Sequence, residues 1–305
     1  MIKKYIINKI TVCFMCFLLL CLFCLFPTQE VFVEEKVYDK EYVVYLMDND
    51  NFLSKVTYFY DELTLKDEIQ NKINSLIYGV ESYDIFFPLI PKNTKVNNIN
   101  IDKDSVYIDF SSDILNINEF MEEIMIESII YTLSEINGIN NIYLLVDGKE
   151  LLKLPSGMEL NYPLTRSFGI NKEYNINGFD NINKTTIVFS KSYDDVKYDV
   201  PVTLINNDND DKINIIIEEL KSSIYGQSNL NGFINDKLEL IDYDIDNNKM
   251  ELVFNEYIFS NPSEKLILDD VKRVISESIF ENYDVTEVIL NTENKKNIVK
   301  IKEST

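Results

Sequence analysis

The side chains able to do chemistry are distributed one-sidedly. The chain carries 51 Asp and Glu against 29 Lys and Arg, a net charge of −22, and has no histidine. Its cysteines, Cys13, Cys16, Cys21 and Cys24, all lie in one uncharged run from Ile10 to Phe26. Without histidine, and without a thiol beyond that run, Ser-His-Asp and Cys-His nucleophiles, histidine general bases and ordinary zinc centres are excluded. No Gly-rich phosphate loop, G-x-S-x-G elbow or dinucleotide fingerprint is present. Nucleic acid is not an expected partner, because binding phosphates needs a basic face. A carboxylate pair of the glycosidase type needs only acids and stays open. Against it, the acids fall on polar helix faces and in turns, and the chain has no tryptophan to stack on a sugar.

Two acidic stretches invite a calcium reading. Asp244, Asp246 and Asn248 alternate like cation ligands, but Lys249 stands where an EF-hand loop needs glycine and Asn255 where it needs glutamate. Asp102 to Ser105 occupies the same place between two strand patterns, so hairpin turns explain both. Asn207 to Asp211 reads as a helix start, where acids complement the dipole. No catalytic residue, cofactor or metal is therefore expected.

The elements that carry these residues occur twice. Ser75-Leu-Ile-Tyr-Gly79 closes one helical pattern and Ser222-Ser-Ile-Tyr-Gly226 another, 147 residues later. Ile69, Ile73 and Ile77 map onto Ile216, Leu220 and Ile224, one apolar stripe at i, i+4, i+8. Each glycine suits a helix C-terminus. The alternating strand Val106 to Phe110 returns as Met250 to Phe254. A helix follows in each: one begins near Asn118 and is stopped by Gly138, with Met121, Met125, Ile129, Leu133 and Ile136 inward. The other opens at Pro262-Ser263 and carries Val271, Val274, Ile275 and Ile279. Strands from Ile142 to Val146 and from Val288 to Leu290 close the copies. The pattern reads strand, strand, helix, strand, hairpin, strand, helix, strand, an α+β class with two helices on one face of a small mixed sheet. The expected boundaries are 41–165 for the first copy, 166–184 for a connector and 185–303 for the second, with 28–40 as a stalk. Each copy holds a complete set of stripes and is expected to fold alone.

The run Ile10 to Phe26 is at the short end for a membrane helix. Lys3, Lys4 and Lys9 precede it and no charge follows until Glu30, which puts the N-terminus in the cytoplasm and the copies outside. No small-x-small cleavage pattern follows Phe26, which favours an uncleaved single-pass anchor over a signal peptide. Leu20 before Cys21 and Phe23 before Cys24 do not indicate lipidation.

Several of these residues carry a family resemblance. Pro91-Lys-Asn-Thr94, the strand Val106 to Phe110, the helix ending in Thr132-Leu133, Ile142-Tyr-Leu-Leu-Val-Asp-Gly148 and Pro163-Leu-Thr-Arg166 together resemble a GerM-type sporulation and germination domain. The second copy resembles it more loosely, with Asn291-Thr-Glu-Asn294 where the first has Val-Asp-Gly. The resemblance implies tandem domains similar to ring-building modules. It further implies a non-catalytic, membrane-anchored, extracytoplasmic assembly protein of endospore-forming bacteria, acting in the complex that bridges mother cell and forespore, with protein partners and a homo-oligomeric ring as one form. Members are typically lipoproteins, from which Leu20 departs. A peptidoglycan-active enzyme or regulator, and a surface protein binding a small ligand or calcium, are the alternatives. Because the outer part is so acidic, partner contact is expected where acids are sparse: the strand Thr186 to Ser192, and the connector with Arg166, Phe168 and Ile170 as candidate interface residues.

Overall fold

The computed structural model describes residues 40–81, 84–178, 180–208, 210–221, 229–260 and 266–302, with the side chains of 295–302 left out. Residues 39–305 form one compact unit. The Ile10 to Phe26 run, the helix end at Gly226 and the Pro262-Ser263 start lie outside the described residues. Among those described, no helix is long and apolar enough to cross a membrane.

The first copy runs β1 (Lys40–Met47), β2 (Leu53–Tyr60), α1 (Leu65–Tyr78), β3 (Val96–Asp102), β4 (Ser105–Phe110), α2 (Glu122–Ser134), β5 (Asn141–Val146) and β6 (Lys149–Glu150). After a short strand β7 (Glu173–Asn175) the second repeats it: β8 (Asn183–Tyr193), β9 (Val196–Asn206), α3 (Lys212–Lys221), β10 (Leu240–Asp246), β11 (Lys249–Phe254), α4 (Asp269–Phe280), β12 (Glu287–Thr292) and β13 (Lys295–Lys302). Each copy thus ends in one strand more than expected, paired back antiparallel on its neighbour.

Local chemistry accounts for the elements. Thr64 caps α1 by accepting from the Asp67 amide, and Gly79 ends it at φ 84°, its N–H returning to the Ser75 carbonyl. Ile69, Ile73, Leu76 and Ile77 are the buried stripe. In α2, Met125, Ile129 and Leu133 are buried, and Ile136 follows them. Asn118 caps the 3-10 turn that leads into α2. The suspected calcium stretches are tight turns: Asp102 pairs with Ser105 across Lys103 at φ 55°, and Asp246 with Lys249 across Asn247 and Asn248 at φ 49° and 60°.

The sheets depart from the expected one per copy. Strands β3-β4-β5-β6 form one sheet and β10-β11-β12-β13 another, each with its middle pair parallel. The opening hairpins leave these sheets and join each other, in the order β1-β2-β9, with β8 on β9 and β7 beside β9. Each hairpin finds its partner in the other copy. Both copies therefore share a five-stranded sheet.

The outer edges of this sheet are protected in the same way twice. On β1 the Tyr45 amide donates to the Thr132 hydroxyl of α2 at 2.9 Å, and Met47 bridges Phe87. On β8 the Val188 amide donates to the Ser278 hydroxyl of α4 at 2.8 Å, and Ser190 bridges Asn231. The Thr186 amide donates to Asn282. The strand Thr186 to Ser192, expected to offer a free edge, is thus covered by its own helix.

Candidate functional site: the seam between the copies

The residues of most varied chemistry gather where the two hairpins meet. β2 and β9 pair at one position only, Lys55 with Asp199. To one side of that pair the connector is laid into the gap. Asn171 accepts from the Leu53 amide at 2.8 Å through its side-chain oxygen and donates to the carbonyls of Leu53 and Pro201 at 2.8 and 2.7 Å, so one carboxamide replaces a rung of sheet. Its own amide donates to Glu127 at 2.8 Å. Ile170 exchanges bonds with Thr203, and β7 continues alongside β9 in parallel. Gly169 makes the approach possible: at φ 88° it suits no side chain, and a Cβ there would meet Thr203 at 3.2 Å.

Arg166 closes this end. Its guanidinium donates to Glu281 through Nε at 3.2 Å and also through Nη2, to Glu135 at 3.1 Å and to Ser134 at 3.2 Å, and it lies 4.5 Å over the Tyr131 ring. Glu135 directly follows α2 and Glu281 directly follows α4, so one connector arginine holds both helix ends. Tyr45 donates to Glu135 at 2.7 Å. Burial alone raises the Glu135 carboxyl; Arg166 and Lys55 outweigh it and hold the group at about 2. Burial also pushes the Tyr131 and Tyr45 hydroxyls up.

The other face of the seam carries a buried ion pair. Lys191 meets Asp48 at 2.7 Å, both under 3% exposed, and Asp50 at 2.6 Å, while Tyr198 donates to Asp48 at 3.1 Å. Beyond Lys55 and Asp199 the strands part around a cleft of about 370 Å³, lined by Glu41, Thr57, Lys197, Arg273 and Glu277 among others. Its bases are engaged: Lys55 with Glu277 at 3.1 Å, Lys197 with Asp270 at 2.8 Å, and Arg273 with Asp199 and Asp270.

The three candidate interface residues are brought together, but facing inward. Ile170 is fully buried, Phe168 is half-buried under the Lys172 ammonium at 3.6 Å, and Arg166 is taken up by two carboxylates. They lack acids nearby in sequence because acids from both copies are supplied to them in space. Sequence reasoning missed Glu135, Glu281, Asp48, Lys191 and Asn171. One signal was present: Glu135 and Glu281 stand 146 residues apart, the repeat offset.

The seam holds ion pairs and main-chain bonds, an arrangement suited to fixing two modules against each other. Among the described residues, no group of three or more side chains is placed to hold a metal. This defines a tandem α+β protein in which two copies of one domain share a sheet. Residues 43–152 match the family model described as Germane, sporulation and spore germination. Spore germination protein GerM of Bacillus subtilis (strain 168) is 30% identical over 224 residues, 70% of this chain and 60% of that protein. This chain thus matches under two thirds of that relative's length. The solved structure of the tandem GerMN domains of the sporulation protein GerM from Bacillus subtilis matches with a TM-score of 0.77 at 24% identity, covering 87% of this chain and 97% of that one. The first copy of the chain matches the Germane family, and the two copies together have the fold of the tandem GerMN domains.

Proposed function

We propose that the chain is a non-catalytic, extracytoplasmic assembly protein of spore formation or germination, held to the membrane by its N-terminal run and working through protein contacts in the structure that links mother cell and forespore. The observation that carries this reading is the seam. The buried pair of Lys191 with Asp48, and the tie of Arg166 to Glu135 and Glu281, lock one copy on the other, as in a rigid spacer that presents its outer faces. The Germane family description and the GerM relative supply the setting. The run Ile10 to Phe26 with its preceding lysines supplies the anchor and the orientation. Partners then engage outer surfaces, and a ring of copies is one form such an assembly can take.

The test is recovery of partners. The full chain, tagged at its C-terminus and captured from sporulating cells after membrane solubilisation, is expected to bring down other membrane proteins of the developing spore. A deletion strain is expected to lose heat-resistant or germinating spores. Normal spores with no co-purifying protein would overturn the reading. Release of soluble fragments from purified peptidoglycan would replace it with a wall-active enzyme.

A further inference from the structure

The gap between β2 and β9 is filled at one end and open at the other. At the filled end, the inner edge of β9 is taken by Asn171 at Pro201, Ile170 at Thr203 and β7 from Leu204 to Asn206. The chain itself thus lays an extended segment between the two hairpins. At the opposite end the ladder stops after Lys55 and Asp199, and no described segment takes its place.

The direction of the main-chain groups follows from the filled end. Leu53 turns both its amide and its carbonyl toward Asn171, away from β1. Alternation along the strand turns those of Lys55, Thr57 and Phe59 the same way. The Pro201 carbonyl likewise faces the gap, and with it the main-chain groups of Asp199 and Lys197. Past the single rung, Thr57 and Lys197 therefore present ladder donors and acceptors to a cleft of about 370 Å³, and Phe59 continues the same edge beyond it.

We propose that this open splay is a strand-addition site that receives an extended segment of a partner protein bearing Lys or Arg at alternate positions. Charge selects the occupant. The bases of the cleft are already paired within the molecule, whereas Glu41 is exposed opposite Phe59. The antiparallel course of β2 and β9 brings exposed Glu62 to the same end as exposed Asp194 and Asp195 of the β8–β9 turn. Phe59 and Tyr193, 57% and 45% exposed, stand at this mouth and offer faces to cationic side chains. The net charge of −22 adds attraction at long range. Main-chain bonds supply affinity and the acidic aromatic rim supplies selection. The inference rests on the assembly reading and names one surface through which it would act.

The test uses the full chain in detergent and a labelled hexapeptide of alternating lysine and valine. Binding is expected, with slowed amide exchange at Thr57, Phe59 and Lys197. Methylating alternate peptide amides is expected to weaken binding at least tenfold, as is replacing its lysines by glutamates. Asp194→Asn with Asp195→Asn, both exposed on the β8–β9 turn, leaves the fold intact and should weaken it about threefold or more. Equal binding of the methylated peptide, absence of binding, or amides already protected in the peptide-free chain would overturn the site. If partners are still recovered from cells while the peptide fails to bind, only this site falls; if both fail, the assembly reading falls with it.

Discussion

The two copies agree in their skeleton and disagree where they touch. Thr132 and Ser278 each take the amide of an outer strand, and Glu135 and Glu281 each follow a long helix to meet Arg166. Counting on from the matched amides of Tyr45 and Val188, Asp48 and Lys191 are equivalent positions, and these two bury themselves against each other as an ion pair. On the helix stripe, the equivalents Lys72 and Glu219 again have opposite sign. On the outer sheets, the first copy stacks Tyr107, Tyr143 and Tyr162 with centroids 4.5 and 5.5 Å apart, where the second places Glu251 and Ile289 in the register of the first two. Identity at the helix ends keeps the geometry of the shared sheet. Opposite charge at the seam makes the first copy fit the second better than another first copy. Two identical domains would place like charges at position 48 of each, at a cost that disfavours the self-pair.

The largest effect should come from removing one side of that buried pair. Lys191→Met leaves Asp48 buried without its cation, with only the Tyr198 hydroxyl and nearby amides around it, and should cost about 3 to 5 kcal/mol of stability. Chemical denaturation at pH 7 checks it. A loss under 1 kcal/mol would mean that the opposite charges at this seam do not select the partner copy.

Arg166→Met tests the shared contact. About 3 kcal/mol is expected at pH 7, somewhat less than at Lys191 because the guanidinium is 30% exposed. The pH dependence has a definite sign. Glu135 is held at about 2, below its unfolded value, so its contribution is complete above about pH 4.5 and is lost as pH falls toward 2. The wild-type chain should therefore approach Arg166→Met in stability across that window. A constant difference down to pH 2 would assign the loss to packing on Tyr131.

Much of this molecule was legible in its residues, and the illegible part has one cause. Repetition at offsets of 144 to 147 gives the duplication, the helices and the strand pairs of each outer sheet, because those signals are local periodicities. Strand pairing between copies is not periodic. β1 and β2 read as members of their own sheet because alternation tells which face is buried and never which strand lies beside it. Arg166, Phe168 and Ile170 stood out by their lack of acidic neighbours along the chain, but Glu135 and Glu281, supplied from far away in sequence, turn that acid-poor stretch into an internal tie. Asn171 gave no signal: an asparagine in an Asn-rich connector looks like a turn residue until Leu53 and Pro201 are seen on either side.

Lys72 and Glu219 sharpen the comparison through pH. Lys72 is 2% exposed, and burial brings its ammonium down to about 8, although it donates to the Val43 carbonyl. Its folded value lies below its unfolded one, so the charged form weakens the fold at neutral pH and the penalty is relieved as pH rises from about 8 toward 10.5. The wild type should gain on the order of 2 kcal/mol relative to Lys72→Met between pH 7.5 and 9.5. Burial raises Glu219 instead, so its penalty appears as pH rises through the carboxylate range. Glu219→Gln should gain on the wild type there and run parallel to it above pH 7. Parallel curves for Lys72→Met above pH 7.5 would show that the first copy does not strain this position.

The smallest expected effects fall on the hydroxyls that guard the two outer strands, and here the copies should behave alike. Thr132→Val keeps the shape of the side chain and leaves the Tyr45 amide without its acceptor. Ser278→Ala does the same to Val188 and also removes a donor to the Val274 carbonyl, a bond that within a helix adds little. A buried amide left unpaired costs about 1 to 2 kcal/mol, so each variant should lose that amount in denaturation. Because the sites belong to opposite edges of one sheet and share no partner, the double variant should lose the sum within about 0.5 kcal/mol. Amide exchange at Tyr45 and Val188 reads each edge separately. If Thr132→Val exposed both amides to exchange, opening one edge would open the whole sheet, and the copies would have to be regarded as one cooperative unit. If only the mutated edge exchanged faster, each hairpin would keep its own guard, and the duplication would survive in the energetics as well as in the fold.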